Sequence, residues 1–264
     1  MNEALGGATG KGVRIAVIDS GWDRTQADPR VLPGVGLVDP DDDFALQRTD
    51  DDHDRVGHGT ACVDQILRIA PDAEVVPVRV FGNKLETSPH TLKSGLKYAL
   101  DEGLHLVNMS LGTTLPKELE PLYVGCEIAR RAGTIVVAAG HNGRTWSYPA
   151  IFDNVIGVAA GRFESPYDYR YRPDEAFECE AWGLDTPVLW LGGERALRNG
   201  TSFAAPHITG IVALMLEKHP GATLEEVREM LREFAMEVVE GVVETNFGPD
   251  HPPLEELGLR AATS

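Results

Sequence analysis

The sequence contains little cysteine and no long apolar run. Its three cysteines, Cys62, Cys126 and Cys179, are odd in number and widely spaced, which excludes a disulfide framework and a zinc-binding cysteine pair. Such sparse cysteine is typical of proteins from a reducing compartment. No segment approaches the roughly 18 consecutive apolar residues of a membrane-spanning helix, and the first dozen residues lack the apolar segment of a signal peptide. We therefore expect a cytoplasmic protein without a membrane partner.

Positive charge is also scarce. The chain has 24 Lys and Arg against 41 Asp and Glu, and its formal net charge of −17 excludes the basic surface that a nucleic-acid partner requires. At 264 residues, the chain has the length of a single α/β enzyme domain. Its hydrophobic fraction of 42% is sufficient for a core that needs neither disulfides nor a metal.

Apolar, β-branched segments alternate along the chain with stretches of helical periodicity. The apolar runs are nearly continuous, which is typical of strands buried on both faces. The predicted strands are Arg14–Asp19, Glu74–Val80, Leu106–Leu111, Thr134–Ala139, Val155–Ala160 and Pro187–Gly192. The predicted helices are His58–Ala70, Thr91–Glu102, Leu119–Ala132, Thr201–Lys218 and Thr223–Phe234. This alternation predicts an α/β fold: a doubly wound, mostly parallel sheet with helices on both faces. We expect one domain over residues 1–264, with its core at about 10–234 and a C-terminal tail at 240–264.

Three short segments contain the residue types of a nucleophilic site. They are IAVIDSG at Ile15–Gly21, GHGTAC at Gly57–Cys62 and NGTSFAAPH at Asn199–His207. Each alone is typical of a turn, a loop or a helix cap. Together, however, they supply an acid, a base and a serine, and a serine hydroxyl needs both partners to become a nucleophile at neutral pH.

These segments, in this order, resemble the Asp, His and Ser motifs of the subtilase family, the subtilisin-like serine proteases. The segments NMSLG at Asn108–Gly112 and VVAAGHNG at Val136–Gly143 extend the resemblance. It implies a subtilisin-like three-layer sandwich and a serine endopeptidase that acts on peptides or proteins through an acyl-enzyme and requires no cofactor. The resemblance implies the catalytic triad Asp19, His58 and Ser202. It also implies that substrate binds at Ser110, Leu111, Gly112, Gly140 and Gly200.

The segment that supplies the oxyanion donor departs from the family pattern. Subtilases usually have asparagine where this chain has His141, and Asn142 follows at the variable position. We expect His141 to be the donor, unless a shift by one residue brings Asn142 into its place. The family's prodomain is also not visible before the first strand, which predicts unaided folding or an inhibitor or chaperone that acts in trans.

A run of aspartates and a cysteine near the histidine motif leave alternatives open. The run between Asp39 and Asp54 is either a solvated acidic loop or, since oxygen ligands suit Ca²⁺, a calcium or basic-substrate site. The spacing of His58 and Cys62 resembles that of proteinase K-like and kexin-like subtilases, in which a free thiol lies beneath the catalytic histidine. We expect no thiol nucleophile, and we expect His207 to be a core histidine.

The sequence thus favours an active intracellular endopeptidase. A narrower version of this interpretation is a processing protease that trims one dedicated precursor. A second interpretation is a pseudoprotease that binds peptides as a scaffold, having lost turnover with the oxyanion asparagine. A third is an esterase without peptidase activity. The presence of all three triad residues favours the first.

Overall fold

The computed structural model describes residues 5–39, 42–143 and 146–239, with residues 39 and 42–45 described along the backbone alone. Its strands are β1 Arg14–Asp19, β2 Val35–Asp39, β3 Asp42–Thr49, β4 Glu74–Arg79, β5 Leu106–Met109, β6 Ile135–Ala139, β7 Ile156–Gly161, β8 Tyr169–Tyr171, β9 Cys179–Trp182, β10 Thr186–Leu189, β11 Arg195–Arg198 and β12 Glu237–Val238. Its α-helices are α1 His58–Ile69, α2 Pro89–Asp101, α3 Leu119–Arg131, α4 Thr201–Lys218 and α5 Leu224–Phe234. No described helix is long and apolar enough to cross a membrane.

Within the described residues, one large sheet has the order β12-β8-β9-β7-β6-β5-β1-β4-β2-β3. The seven strands from β9 to β2 in this order pair in parallel, and antiparallel pairs occur toward the two edges. After β1 the chain adds strands on one side of β1, ending with its neighbour β4. It then returns to form β5, the neighbour of β1 on the other side. β1 therefore lies at the point where the winding reverses, which in open α/β sheets is where ligands bind at the carboxyl ends of the strands.

Helices cover both faces of the sheet because the central strands are apolar on both. In β1, Ile15 and Val17 pack with α1, α4 and α5, whereas Ala16 and Ile18 pack with α2 and α3. Successive side chains of a strand point to opposite faces, so one strand contributes to two cores. The prediction of a doubly wound, mostly parallel sheet in a three-layer sandwich is confirmed.

The helix α4 is apolar around most of its circumference and is buried almost throughout. Phe203 to Leu216 form a continuous buried stretch between the sheet and the flanking helices α1 and α5. A helix that is apolar all round needs such an interior position. Its N-terminus is consequently a rigid support for whatever residue begins it.

Several local predictions need correction. The segment Pro187–Gly192 is not a strand of the parallel sheet, because β10 pairs antiparallel with β11 in a separate hairpin. The region of the aspartate run contains the edge strand β3 instead of only a loop. The short strands β2, β8, β9, β11 and β12 were not predicted. The expected C-terminal tail at 240–264 lies outside the described residues. The final helix begins with a capping box formed by Thr223 and Glu226, as its spacing predicts.

Candidate active site

Asp19 and His58 form a buried pair at the carboxyl end of the central strand. Asp19 ends β1 and is fully buried, and its Oδ1 lies 2.8 Å from Nδ1 of His58. The same oxygen accepts the backbone N–H of Ser20 at 2.7 Å. This contact fixes one ring nitrogen as the donor to Asp19 and leaves Nε2 as the nitrogen able to accept a proton.

A charged residue and a glycine fix the start of α1, where His58 lies. The carboxylate of Asp54 is buried and accepts the backbone N–H groups of Val56, Gly57 and Thr60 at 2.8–2.9 Å. Gly57 has φ 98°, and a Cβ there would lie 2.5 Å from the ring of Trp190. Only glycine therefore fits between the hairpin β10–β11 and the catalytic helix.

Ser202 lies in the first turn of α4, next to the carboxyl end of β5. Its hydroxyl donates to the carbonyl oxygen of Ser110 at 3.1 Å. Among the described contacts, there is no hydrogen bond between Ser202 and His58, although both side chains line one pocket. Catalytic hydrogen bonds are commonly long or misaligned in the free enzyme, so the lack of this bond does not argue against the pair.

A buried polar network holds the backbone beneath the serine. The hydroxyl of Ser110 donates to the carbonyl oxygen of Ser202 at 2.9 Å and accepts from Asn108 Nδ2 at 3.0 Å. Thr209, two turns further along α4, donates to Asn108 Oδ1 at 2.9 Å. Each member is paired, so the network ties α4 to β5 without leaving a polar group unsatisfied.

Cys62 lies directly below the triad. Its Sγ is 3.3 Å from Ser110 Oγ, 3.5 Å from the Ser202 carbonyl oxygen and 3.6 Å from Asp19 Oδ2. Burial and the Asp19 carboxylate raise the pKa of the Cys62 thiol to about 11. A neutral thiol is a poor nucleophile, so this environment disfavours Cys62 as the attacking group.

Two opposing effects act on the pKa of His58. Burial disfavours the imidazolium, but the adjacent Asp19 carboxylate stabilises it, and the net effect raises the pKa of His58 well above its ordinary value. A base of raised pKa holds an abstracted proton more firmly. Its neutral form, which is the one that can accept a proton, consequently prevails only at higher pH.

The two candidate oxyanion donors have different surroundings. The Asn142 side chain accepts the Thr201 backbone N–H at 2.8 Å and the Thr201 hydroxyl at 3.1 Å through Oδ1. Its amide group is thereby held at the N-terminus of α4. His141 is exposed, and its Nδ1 accepts the N–H of Gly143 within its own loop at 3.0 Å. The geometry therefore favours Asn142, one position later than the register of the sequence.

Two pockets flank Ser202. One, of about 190 Å³, lies between the segments 110–113 and 139–142, and it is lined by the expected substrate-binding residues Ser110, Leu111, Gly112 and Gly140. The other, of about 440 Å³, is lined by His58 and by the segment around Phe81 and Leu85. Gly200, also expected at the substrate, precedes α4 and approaches the Asn142 side chain. A peptide that crosses Ser202 contacts both pockets.

A model described as the subtilase family matches residues 10–251 of this chain. The chain belongs to the subtilase family. The fold and the spatial grouping of Asp19, His58 and Ser202 agree with this membership.

Curated relatives of this subtilase are named as bacterial proteases. Thermostable alkaline protease of Halalkalibacterium halodurans is 29% identical over 242 residues, covering 87% of this chain and 63% of the relative. M-protease of Shouchella clausii is 30% identical over 240 residues, covering 87% and 60%. Subtilisin Savinase of Lederbergia lenta is 30% identical, covering 87% and 85%. The chain thus spans about three fifths of the length of the first two relatives.

Solved structures agree on the fold. A cold-adapted subtilisin-like serine proteinase superposes with a TM-score of 0.72 at 23% identity, covering 90% of this subtilase and 87% of that chain. The S41 psychrophilic protease gives 0.70 at 22% identity, covering 85% and 83%. At these identities the likeness concerns the architecture alone.

Three of the four described aspartates of the acidic run have protein partners in this subtilase. Asp52 pairs with Arg24, Asp51 pairs with Arg55, and Asp54 caps the start of α1. Carboxylates engaged in this way have few free lone pairs for Ca²⁺. The side chains of residues 39–45 lie outside the described part, so the calcium alternative is left without support at Asp51, Asp52 and Asp54.

Sequence reasoning missed Asp54, Trp190 and Asn108 as residues that position the site. For Asp54 a signal existed, because an aspartate shortly before a predicted helix commonly accepts its first N–H groups. Trp190 contacts Gly57 across more than 130 positions of sequence, and no local pattern predicts such a contact. Asn108 lies within an apolar strand, where a buried amide requires a partner that only the fold reveals.

Proposed function

We propose that this chain is a serine endopeptidase that cleaves peptide bonds through an acyl-enzyme on Ser202. The observation that carries the proposal is the 2.8 Å contact of the buried Asp19 with His58, which lines the same pocket as Ser202. Membership of the subtilase family supports it. An extended substrate lies along the segment Ser110–Gly112 and adds its backbone to that edge.

Each step uses groups of the chain itself. His58 Nε2 takes the proton of the Ser202 hydroxyl as Oγ attacks the carbonyl carbon, and the resulting oxyanion accepts the Ser202 backbone N–H and the Asn142 amide. The imidazolium, stabilised by Asp19, gives the proton to the leaving amine, which departs as the acyl-enzyme forms. Water then loses a proton to His58 as its oxygen attacks the acyl carbon. The bond from that carbon to Ser202 Oγ breaks, His58 returns the proton to Oγ, and the carboxylic acid product leaves.

A fluorophosphonate probe tests this proposal directly. An activated Ser202 forms a covalent phosphonyl adduct, whereas the Ser202→Ala variant does not react. We expect Ser202→Ala to lose turnover by roughly 10⁴- to 10⁶-fold, the range for loss of a triad residue, with an unchanged circular dichroism spectrum. Residual proteolysis above a few per cent in that variant contradicts the assignment.

The alternative of a peptide-binding scaffold has one observation in its favour, the hydrogen bond of the Ser202 hydroxyl to Ser110 rather than to His58. A scaffold binds peptide without reacting with fluorophosphonate. Comparison of casein with a p-nitrophenyl ester separates a peptidase from an esterase.

We further propose that the protease acts inside the cell on a dedicated precursor. The three cysteines are buried and unpaired, which suits a reducing compartment. Fractionation of the producing cells tests the location, and cleavage-site profiling with a peptide library tests the breadth of substrates. Recovery in the culture medium contradicts the intracellular assignment.

A further inference from the structure

The smaller pocket beside Ser202 is lined by small and neutral side chains. Among the described residues, none of its walls carries an Asp, Glu, Lys or Arg. Three of its polar side chains have partners: the Ser110 hydroxyl bonds to the Ser202 carbonyl, the Thr113 hydroxyl accepts from Leu115, and the Thr201 hydroxyl donates to Gly140. The pocket therefore offers few free polar atoms to a side chain that enters it.

Besides the Asn142 amide, which is assigned to the oxyanion, and the exposed His141 ring, Ser147 is the exception among the described wall residues. It is 3% exposed, and its Oγ is buried without a hydrogen-bond partner among the described residues. Its backbone is held in place, because the adjacent Tyr148 exchanges two 2.8 Å hydrogen bonds with Thr113. The Cβ of Ser147 lies 3.8 Å from the position that a Cβ on Gly112 would take. An orphaned hydroxyl is thus fixed in the wall of the pocket.

We infer that the Ser147 hydroxyl selects a neutral, hydrogen-bonding side chain, such as the amide of glutamine, at the scissile residue of the substrate. The scissile residue is the one whose carbonyl Ser202 attacks, and the inference rests on the proposed endopeptidase function. Its side chain enters the pocket next to Ser202 because the substrate backbone lies along Ser110–Gly112.

The selection follows from the cost of an unpaired polar group. An apolar scissile side chain leaves the Ser147 hydroxyl without a hydrogen-bond partner, as it is in the free protein, whereas an amide that reaches it supplies one. A carboxylate or an ammonium group finds no counter-ion among the described walls and is penalised more heavily. Sites that hydrogen-bond a substrate group discriminate well against analogues that lack it.

Three peptides that differ only at the scissile residue test the inference. Glutamine, methionine and glutamate have similar shapes but carry an amide, a thioether and a charge. We expect kcat/KM for glutamine to exceed that for methionine by roughly 5- to 10-fold, which is the contribution of one neutral hydrogen bond. Glutamate should be the poorest of the three. In Ser147→Ala the glutamine-to-methionine ratio should fall to about one or below.

Thr87→Val is the matched control. The Thr87 hydroxyl is also buried without a partner among the described residues, but it lines the larger pocket. Its removal should leave the glutamine-to-methionine ratio unchanged. Labelling of each variant with fluorophosphonate establishes that Ser202 is reactive. Labelled enzyme that prefers methionine, or a ratio that Ser147→Ala does not alter, overturns the inference and leaves the proposed function intact. Wild-type enzyme that neither reacts nor cleaves any peptide overturns both.

Discussion

Two histidines of this subtilase are buried to a similar degree, yet their pKa values shift in opposite directions. His58 is 7% exposed and His207 is 1% exposed. Burial acts to lower the pKa of His58, but the Asp19 carboxylate and Cys62 together outweigh it, and the pKa is raised. The pKa of His207 is lowered to about 4, since burial acts there with only the carbonyl oxygen of Phe203 as a hydrogen-bond partner.

The comparison teaches that the partner, rather than the depth of burial, decides the charge of a histidine. The two residues also affect stability in opposite directions. The folded protein binds a proton at His58 more readily than the unfolded chain, so this residue favours the fold at low pH and loses that contribution as pH rises. His207 favours the fold above its ordinary pKa and loses that contribution as pH falls.

The largest expected effect comes from making His58 resemble His207. Asp19→Asn removes the carboxylate but retains the shape of the side chain. We expect kcat to fall by about 10⁴-fold, as for the same change in other triad proteases, because the imidazole loses its orientation and the charge that stabilises it. We also expect the pKa of His58 to fall, which moves the acidic limb of residual kcat/KM to lower pH. The pH profiles of both enzymes measure this shift.

His58 can be monitored independently of turnover. Its imidazole resonances, followed by NMR against pH, should titrate at lower pH in Asp19→Asn than in the wild type. An unchanged titration contradicts the role given to Asp19, even if activity is lost. The resonances of His207 provide the internal reference, since it does not contact Asp19.

The sequence alone is sufficient to predict the strand end that carries Asp19 and the helix start that carries Ser202. Asp19 follows a continuous apolar strand, and Ser202 begins an apolar helix, so local periodicity located both. The sequence alone does not assign Asn142 as the donor, because its contact with Thr201 joins a loop to the start of α4, 59 residues further along the chain. The sequence predicts a strand of the main sheet at Pro187–Gly192, because this apolar run has the composition of a core strand. In the structure the run instead pairs locally, in the hairpin β10–β11.

A third histidine tests whether the sequence register or the structure identifies the oxyanion donor. We expect Asn142→Ala to lower kcat by roughly 10²- to 10³-fold, a range measured in subtilisin, a member of this family. His141→Ala should change kcat only a few-fold, because its ring is exposed and contacts its own loop. A steep loss in His141→Ala with a nearly silent Asn142→Ala would reverse the assignment.

His207 provides the corresponding experiment on stability. The unfolded chain takes up a proton near pH 6.5, whereas the folded chain resists protonation down to about pH 4. Between pH 7 and pH 5 this difference should lower the free energy of unfolding by about 2 kcal/mol. Chemical denaturation at both pH values should give a smaller decrease for His207→Asn than for the wild type. His90→Asn, on the exposed surface of α2, is the control and should behave as the wild type does.

The smallest effect on turnover is expected at Cys62, which contacts the network around His58 but takes no part in the chemistry. Cys62→Ala should retain kcat within a few-fold, because Asp19, His58 and Ser202 keep their own contacts. Mercurials should inactivate the wild type, since a bulky group on Sγ displaces the Ser202 backbone or the His58 ring. Inactivation should be slow and should accelerate as pH rises, because the thiolate is the reactive form and the pKa is raised to about 11. Cys62→Ala should resist the reagent, whereas Cys126→Ala, with a buried thiol on α3, should remain as sensitive as the wild type. An inactive Cys62→Ala with an unchanged circular dichroism spectrum would assign the thiol a direct part in the reaction.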